Sequence, residues 1–576
     1  MSRPAHGKVL VLGQGQRAFL SVIRSLGRAG LTVHVGMCSR EDIALRSRYV
    51  RQYHQVPPYV GDGTDWLAAM RAILTESTFD LVIPCTDPSL IPIQIHRNEL
   101  SEFTKVYSLG EKAFEIAFDK VASSKLAVSL GVPVPREKVI ATDRPVEEVL
   151  EGLTLPLVFK PPSSFTTSDL STKRRVYRAR TMEEVARLLD TCRPWGQVQV
   201  QENFIGRGVG VEVLAQRGEV LTAFQHVRVH EPLAGGGSSY RQSARIAPDL
   251  MAWTERLMRA LDYTGVAMVE FRTDPKSGRS IFIEVNGRFW GSLPVALAAG
   301  VDFPLYLYQM LVEGRREFPR RYPVGVHSRN LFPDIRWLLG NLKADRSDPL
   351  LQTRSLWKVA AEPLNVLLGR EHVDTLVADD PAPGVGECAE ILRTVFRKAG
   401  SVLTCACRRS PVARTIATAR ARRAARRARS VLFVCKGNIC HSPFAELCAR
   451  REIPGLEAIE SAGYYPVADR PSPDNACTAA AEHGIELRSH RSRLLDDEAV
   501  SRADVVFVFD EENRIRVLRD HRSARGKVHL LGALRSGGDN VIEDPYSGEV
   551  DRFLATYALI AEAIAELKVC LASNPR

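Results

Sequence analysis

The chain lacks a continuous apolar run of membrane-spanning length. Its longest apolar stretch, residues 293 to 312, is broken by Pro294, Asp302 and Pro304, which argues against a transmembrane helix. It also lacks an opening signal peptide, because Met1 to Gly7 leads straight into a strand-like run at Lys8 to Leu12. The eleven cysteines have no paired spacing, which excludes a disulfide framework and points to free thiols in a reducing compartment. A cytoplasmic location is therefore expected. Cys405-Ala406-Cys407 has no histidine neighbours and reads as inert rather than as a metal or lipidation pair. Acidic residues are absent between positions 408 and 429, where nine arginines stand; the net charge of +11 is concentrated there and the rest of the chain carries +2. That distribution excludes a basic domain face for specific nucleic acid. It leaves a short connector capable of weak contact with acidic surfaces. A third glycine is missing from Gly13-Gln14-Gly15, where Ala18 holds the place, so the turn reads as a tight βα connection rather than a dinucleotide fingerprint.

What is present is an α/β chain long enough for several domains. Residues 1–115 alternate apolar strands (Val9 to Leu12, Thr32 to Val35, Asp80 to Pro84) with helical patterns, as in a parallel sheet. Residues 116–315 carry one set of polar motifs. Residues 316–400 read as a helical extension with Trp337 and Trp357 as core anchors, and 401–429 as an Arg-rich linker or a basic helix. Residues 430–576 return to α/β alternation, with strands near Val505 and Val528 and a closing helix from Asp551 to Leu567.

Between Asp119 and Arg288 three features fit one another. Lys120 begins a helical segment, and Lys160 ends the strand Leu157-Val158-Phe159; two lysines about forty residues apart can converge on one polyphosphate. Gln201 and Glu202 close a second strand, where backbone groups meet an adenine edge and a carboxylate meets ribose hydroxyls. Glu270 then faces Glu284, Asn286 and Arg288 across a hairpin turned near Pro275 to Gly278. Period-2 spacing places those last three on one strand face. Two carboxylates and an amide oxygen form a hard, oxygen-only set suited to Mg²⁺, and Arg288 suits an anionic substrate or the transferring phosphoryl group.

Taken together, these residues resemble the ATP-grasp superfamily, in particular carboxylate–amine ligases akin to the carbamoyl-phosphate-synthase ATP-binding unit. The resemblance covers residues 1 to about 315 and implies a Rossmann-like pre-ATP-grasp domain followed by the ATP-grasp domain. It implies ATP contacted by Lys120, Lys160, Gln201 and Glu202, with Mg²⁺ or Mn²⁺ on Glu270, Glu284 and Asn286. The implied reaction joins a small-molecule carboxylate to an amine through an acyl phosphate. Substrate identity is expected in Gln225-His226-Val227-Arg228, in Gly235-Gly236-Gly237-Ser238-Ser239, read either as a mobile flap or as a surface hairpin, and at Arg245. One departure is the loop after Lys160, Pro161-Pro162-Ser163-Ser164-Phe165-Thr166-Thr167-Ser168, where family members are rich in glycine; hydroxyls must take over contact with phosphates.

The last unit opens on an apolar strand followed by Cys435-Lys436-Gly437-Asn438-Ile439-Cys440-His441-Ser442. Gly437 and Asn438 can turn backbone N–H groups inward. Such a nest at a helix N-terminus attracts anions and is expected to lower the Cys435 thiol pKa. Glu543-Asp544-Pro545-Tyr546 supplies a carboxyl partner. Together with Ser461-Ala462-Gly463, Ser489 to Arg493 and Asp510 to Asn513, these loops resemble the low-molecular-weight protein tyrosine phosphatases, a separate doubly wound α/β fold. The resemblance implies Cys435 as nucleophile, Asp544 as general acid and a phosphotyrosine protein as partner. The family loop is Cys-x5-Arg-Ser, and here His441 holds the arginine position. A planar, permanently charged fork is thereby replaced by a ring with one donor in that direction, mostly neutral at pH 7. Three readings stay open: a ligase carrying a weakened phosphatase, a phosphatase regulated by an ATP-binding domain, and a non-catalytic phosphoprotein sensor.

Overall fold

The protein, in a computed structural model, folds as two compact units, residues 1–392 and 393–576. The residues described are 7–573 apart from 16, 167–169, 234, 349, 409–410, 538 and 547.

The first unit begins with a parallel sheet in the order Val50–His54, Thr32–Gly36, Lys8–Leu12, Leu81–Pro84. Val9 to Leu12 are wholly buried, as the inner strand of a sheet covered on both faces requires. The helix Ala18–Arg28 supplies Phe19, Leu20, Val22, Ile23 and Leu26 to that core. The edge strand Val50–His54 has no apolar run to announce it, since Arg51 and Gln52 are exposed.

Two antiparallel sheets follow. One runs Glu137–Ala141, Gln197–Glu202, Leu157–Lys160, Tyr177–Ala179. The other is longer: Ser280–Asn286, Gly265–Thr273, Arg207–Gln216, Glu219–His230, Tyr240–Ala244, His327–Arg329, Glu371–Val373. Its core is continuous with that of the parallel sheet. The last two strands fall in the segment expected to be helical, and they extend the sheet through buried ion pairs rather than apolar packing. Arg241 pairs with Asp374 with both side chains almost fully buried. Arg24 donates to Asp380 at 2.8 Å and to the Thr375 carbonyl at 2.7 Å. Trp337 is a core anchor, stacked on His230 at 3.4 Å. Trp357 is not: it is 86% exposed, because its short helix Leu356–Ala361 buries none of its residues.

The second unit is a parallel sheet in the order Ala458–Gly463, Ser430–Cys435, Val505–Val508, Val528–Leu530, closed by the helix Val550–Ala572. The Arg-rich stretch, expected as a linker or a basic helix, is helical over Pro411–Arg427. Ala421, Ala425 and Ala428 are buried in the core of this unit, and Arg422 donates to the Leu534 carbonyl and pairs with Glu566, each at 3.2 Å. Alanines at i, i+4 and i+7 line one face, and Arg423, Arg426 and Arg427 are exposed. Cys405-Ala406-Cys407 lies outside the residues whose side chains are described. Among the described residues no helix is long and apolar enough to cross a membrane.

Candidate functional sites

The first unit contains a cleft of about 1810 Å³ lined by both antiparallel sheets and by Arg17 and Asp87 from the parallel one. Asp119 caps the helix Lys120–Ser129 by accepting from the Ala122 N–H at 2.8 Å, which sets Lys120 at the first helical position. The Lys120 N–H donates to the Pro162 carbonyl at 2.8 Å, so the segments carrying the two lysines are tied together. The Lys120 ammonium reaches Glu284 Oε2 at 3.0 Å and Ser164 Oγ at 3.3 Å. Lys160 is buried at the end of its strand, and desolvation lowers it to about 8 despite Glu284.

Glu270 and Glu284 stand directly opposite each other across the hairpin. Lys120 holds the Glu284 carboxyl well below the usual carboxylate range against its own burial, with Lys160 adding to the effect. The Asn286 amide donates to Glu284 Oε1 at 3.2 Å, and Glu270 pairs with Arg228 at 2.7 Å. Arg288 stands beyond the strand, which ends at Asn286, and its fork is engaged by Asp87 at 2.7 and 3.2 Å. Gln201 and Glu202 line the cleft. The Gln201 amide donates to Glu137, while Glu202 accepts from the Thr154 N–H and hydroxyl at 3.0 and 2.8 Å.

Ser163, Ser164 and Thr166 line the same cleft; Thr167 and Ser168 lie outside the described residues. Of the four residues 225–228, only Arg228 faces the cleft. Gln225 accepts from the Ala247 N–H, and His226 is fully buried against Glu212 at 2.9 Å. Burial lowers His226 and raises Glu212, each away from its charged form. Residues 235–238 also line the cleft, and Arg245 does not.

In the second unit the Ser430–Cys435 strand delivers Cys435 to a loop that precedes the helix His441–Glu452. Asn438 has a left-handed φ of 53° and is held on several sides. Its N–H donates to Cys435 Sγ at 3.2 Å, and its amide donates to Ser442 Oγ at 2.9 Å and to Ser461 Oγ at 2.8 Å. Its side-chain oxygen accepts from the Arg493 N–H at 2.7 Å. Gly463 backs the loop so closely that a Cβ there would lie 2.8 Å from Asn438 N, which restricts the position to glycine. Ser442 Oγ is 3.1 Å from Cys435 Sγ.

The thiol expectation is corrected. Burial raises Cys435 above its ordinary value, against the lowering from Ser442 and the Asn438 N–H. His441 is itself buried, stacked on Phe509 at 4.7 Å, with Nε2 3.0 Å from the Glu543 carbonyl oxygen. Desolvation lowers its pKa despite the neighbouring Asp544, so the ring is neutral. Lys436 is exposed on the rim, and Ile439 and Cys440 are buried behind the loop. Arg470, which the sequence did not single out, donates to the Gly437 carbonyl at 2.6 Å. Asp544 is exposed and accepts from the Tyr546 N–H at 3.1 Å.

A family model described as low molecular weight phosphotyrosine protein phosphatase matches residues 430–575. The probable low molecular weight protein-tyrosine-phosphatase EpsP of Ralstonia nicotianae is 32% identical over 136 residues, which are 24% of this chain and 91% of the relative. Over its last quarter the chain belongs to the low molecular weight phosphotyrosine protein phosphatase family. The low molecular weight protein-tyrosine-phosphatase Etp of Escherichia coli matches this phosphatase-family domain at 33% identity over 137 residues, 24% of this chain and 90% of the relative. A second family model, ATP-grasp in the biosynthetic pathway with Ter operon, matches residues 197–329. Residues 197–329 are thus ATP-grasp-like, and that matched span contains Glu270, Glu284, Asn286 and Arg288. An L-amino acid ligase from Bacillus licheniformis aligns at 19% identity with a TM-score of 0.43, covering 54% of this chain and 75% of that one.

Proposed function

We propose that the ATP-grasp unit is an ATP- and magnesium-dependent ligase joining a carboxylate to an amine. The observation that carries the reading is the opposition of Glu270 and Glu284 across one hairpin, beside Asn286 and the Lys120 ammonium. An ionised Glu284, Glu270 and an amide oxygen are donors of the kind magnesium takes, and each carboxylate is balanced by a cation, Lys120 or Arg228. When bound, the ion would supply charge neutralisation at phosphate oxygens. Lys120 and Lys160 would hold the triphosphate, and Arg288, freed from Asp87, would orient the carboxylate. Such placement of charge accounts for most of phosphoryl-transfer catalysis. The carboxylate oxygen would take the γ-phosphoryl group as ADP leaves, and an amine would then attack the acyl carbon and expel inorganic phosphate, giving an amide. ADP release from the full chain, screened against carboxylates and amines, tests this. Glu284→Gln is expected to lower the signal at least a hundredfold, and unchanged release would sink the metal assignment.

For the phosphatase-family domain the geometry of His441 favours a phosphate-binding loop with weakened turnover. Cys435, Asn438, Ser442 and Asp544 remain, but the residue in the arginine position is neutral and turned to the Glu543 carbonyl. The corresponding biological output is slow dephosphorylation, or sensing, of a phosphotyrosine protein. Turnover of p-nitrophenyl phosphate by wild type and Cys435→Ser separates these two: activity abolished by the serine supports catalysis, and no activity in either supports sensing.

A further inference from the structure

The cleft is more basic than ATP requires. Among the described residues, eleven lysines and arginines line it against four carboxylates, whereas magnesium-bound ATP brings only about two net negative charges. Part of that surplus lies around residues 235–238. That stretch is almost bare backbone, and four guanidinium groups meet it. A Cβ on Gly235 would lie 2.9 Å from Arg178 Nη2, and one on Gly237 would lie 3.6 Å from Arg17 Nη1. Arg228 donates to the Gly236 carbonyl and Arg241 to the Ser238 carbonyl, each at 3.2 Å. Gly235 and Gly236 hold φ of 88° and 117°, a backbone open to glycine and strained for other residues.

Three arginines near this end have an acid of their own: Arg228 has Glu270, Arg241 has Asp374 and Arg288 has Asp87. Arg17 and Arg178 have none at ion-pair distance among the described residues. Arg17 is half-buried; its burial disfavours its charge, as do Arg241, Arg288 and Arg228, while Asp374 favours it. Its Nη1 would stand 2.9 Å from a Cβ on Gly291, so the absence of side chains at both 237 and 291 makes room for its guanidinium. A cation held among cations without a counter-ion is costly unless a ligand supplies the negative charge.

We propose that Arg17, with the open backbone of residues 235–237, forms an anion subsite that holds a second negatively charged group of the acid substrate, beyond the carboxylate that is activated. The substrate class is then a dianionic acid, either a dicarboxylate or a phosphorylated carboxylate. This assignment rests on the ligase reading above.

The test is steady-state ADP release by the full chain with magnesium and ATP at fixed ionic strength, against acetate-type monocarboxylates, dicarboxylates such as succinate, and phosphorylated acids such as 3-phosphoglycerate, each with a panel of amines. A dianionic acid is expected to be preferred at least tenfold in kcat/KM, and the two dianion arms identify which group Arg17 reads. Arg17→Gln is expected to raise KM for the dianion about tenfold, the scale of one charge-assisted contact, with KM for ATP within twofold; Arg17→Lys is expected to recover part of the loss. The Arg17 side chain makes no cap hydrogen bond to its helix, so the substitution removes charge without a structural partner. Equal use of monocarboxylates, or an equal effect of Arg17→Gln on mono- and dianions, would overturn the subsite. If no acid–amine pair releases ADP, the ligase reading has failed. Calorimetric titration of succinate, 3-phosphoglycerate and acetate into the protein loaded with magnesium and a non-hydrolysable ATP analogue then decides the subsite alone. Selective, Arg17-dependent dianion binding supports it, and indifference refutes it.

Discussion

Raising the pH from 7 to 9 should weaken nucleotide binding through Lys160 alone. Burial lowers this ammonium to about 8, so its protonated fraction falls from ~0.9 at pH 7 to ~0.1 at pH 9, roughly ninefold. A bound triphosphate favours the charged form, so binding takes up a proton, and affinity is lost as pH rises through the free-protein pKa. The phosphate chain is already ionised over this range, with a last pKa of about 6. Lys120, raised by Glu284 despite its burial, stays charged. The sign for stability is opposite. A lysine whose folded pKa is depressed contributes stability that is present above the unfolded pKa and lost as pH falls through about 8. The unliganded unit therefore gains stability in alkali while its nucleotide affinity falls. Fluorescence titration with a non-hydrolysable ATP analogue and magnesium, at half-unit steps, is the assay. Wild type should lose close to an order of magnitude in affinity, and Lys160→Arg should give a flat profile. A flat wild-type profile, or an equal slope in Lys160→Arg, would refute the assignment of Lys160 to the triphosphate.

Two further outcomes are expected. His441→Arg should raise p-nitrophenyl phosphate turnover about a hundredfold, the scale of one recovered oxyanion-stabilising contact worth ~3 kcal/mol; no increase would show that the arginine position is not what limits the loop. Ala425→Glu should destabilise the phosphatase-family unit by ~3 kcal/mol or more, since it buries an unpaired carboxylate in the core. Scanning calorimetry of the full chain should show one transition moved down by several degrees, and an unmoved transition would mean that the alanine face carries no packing.

The parts that could be read from the sequence were those with short-range signals. Val9 to Leu12 and Val431 to Val434 are continuous apolar runs, and a parallel strand covered on both faces leaves no other pattern. The hairpin carrying Glu270 and Glu284 showed itself as polar residues set at strand period between apolar neighbours. The Cys435 loop was visible through Gly437 and Asn438, the second of which takes the left-handed backbone the loop needs. What escaped was held together across long stretches of chain. Three-residue strands such as His327–Arg329 and Glu371–Val373 have too little pattern to register, and the Arg329–Glu371 contact that joins them spans 42 residues. The packing of the helix Pro411–Arg427 was hidden by its charge, because alanines at i, i+4 and i+7 give a weak apolar signal beside the helix's six arginines. Arg17 gave no signal of its own, since its neighbours in space come from residues 228 to 291.

The buried, neutral setting of Cys435 has a consequence for chemical durability. Peroxide attacks the thiolate, not the thiol, and a low-pKa exposed cysteine is correspondingly the first to climb the oxidation ladder. Here burial raises both Cys435 and its loop neighbour Cys440, so neither offers a ready thiolate. A loop buried in this way is accordingly expected to stay reduced at peroxide levels that oxidise an exposed, low-pKa cysteine.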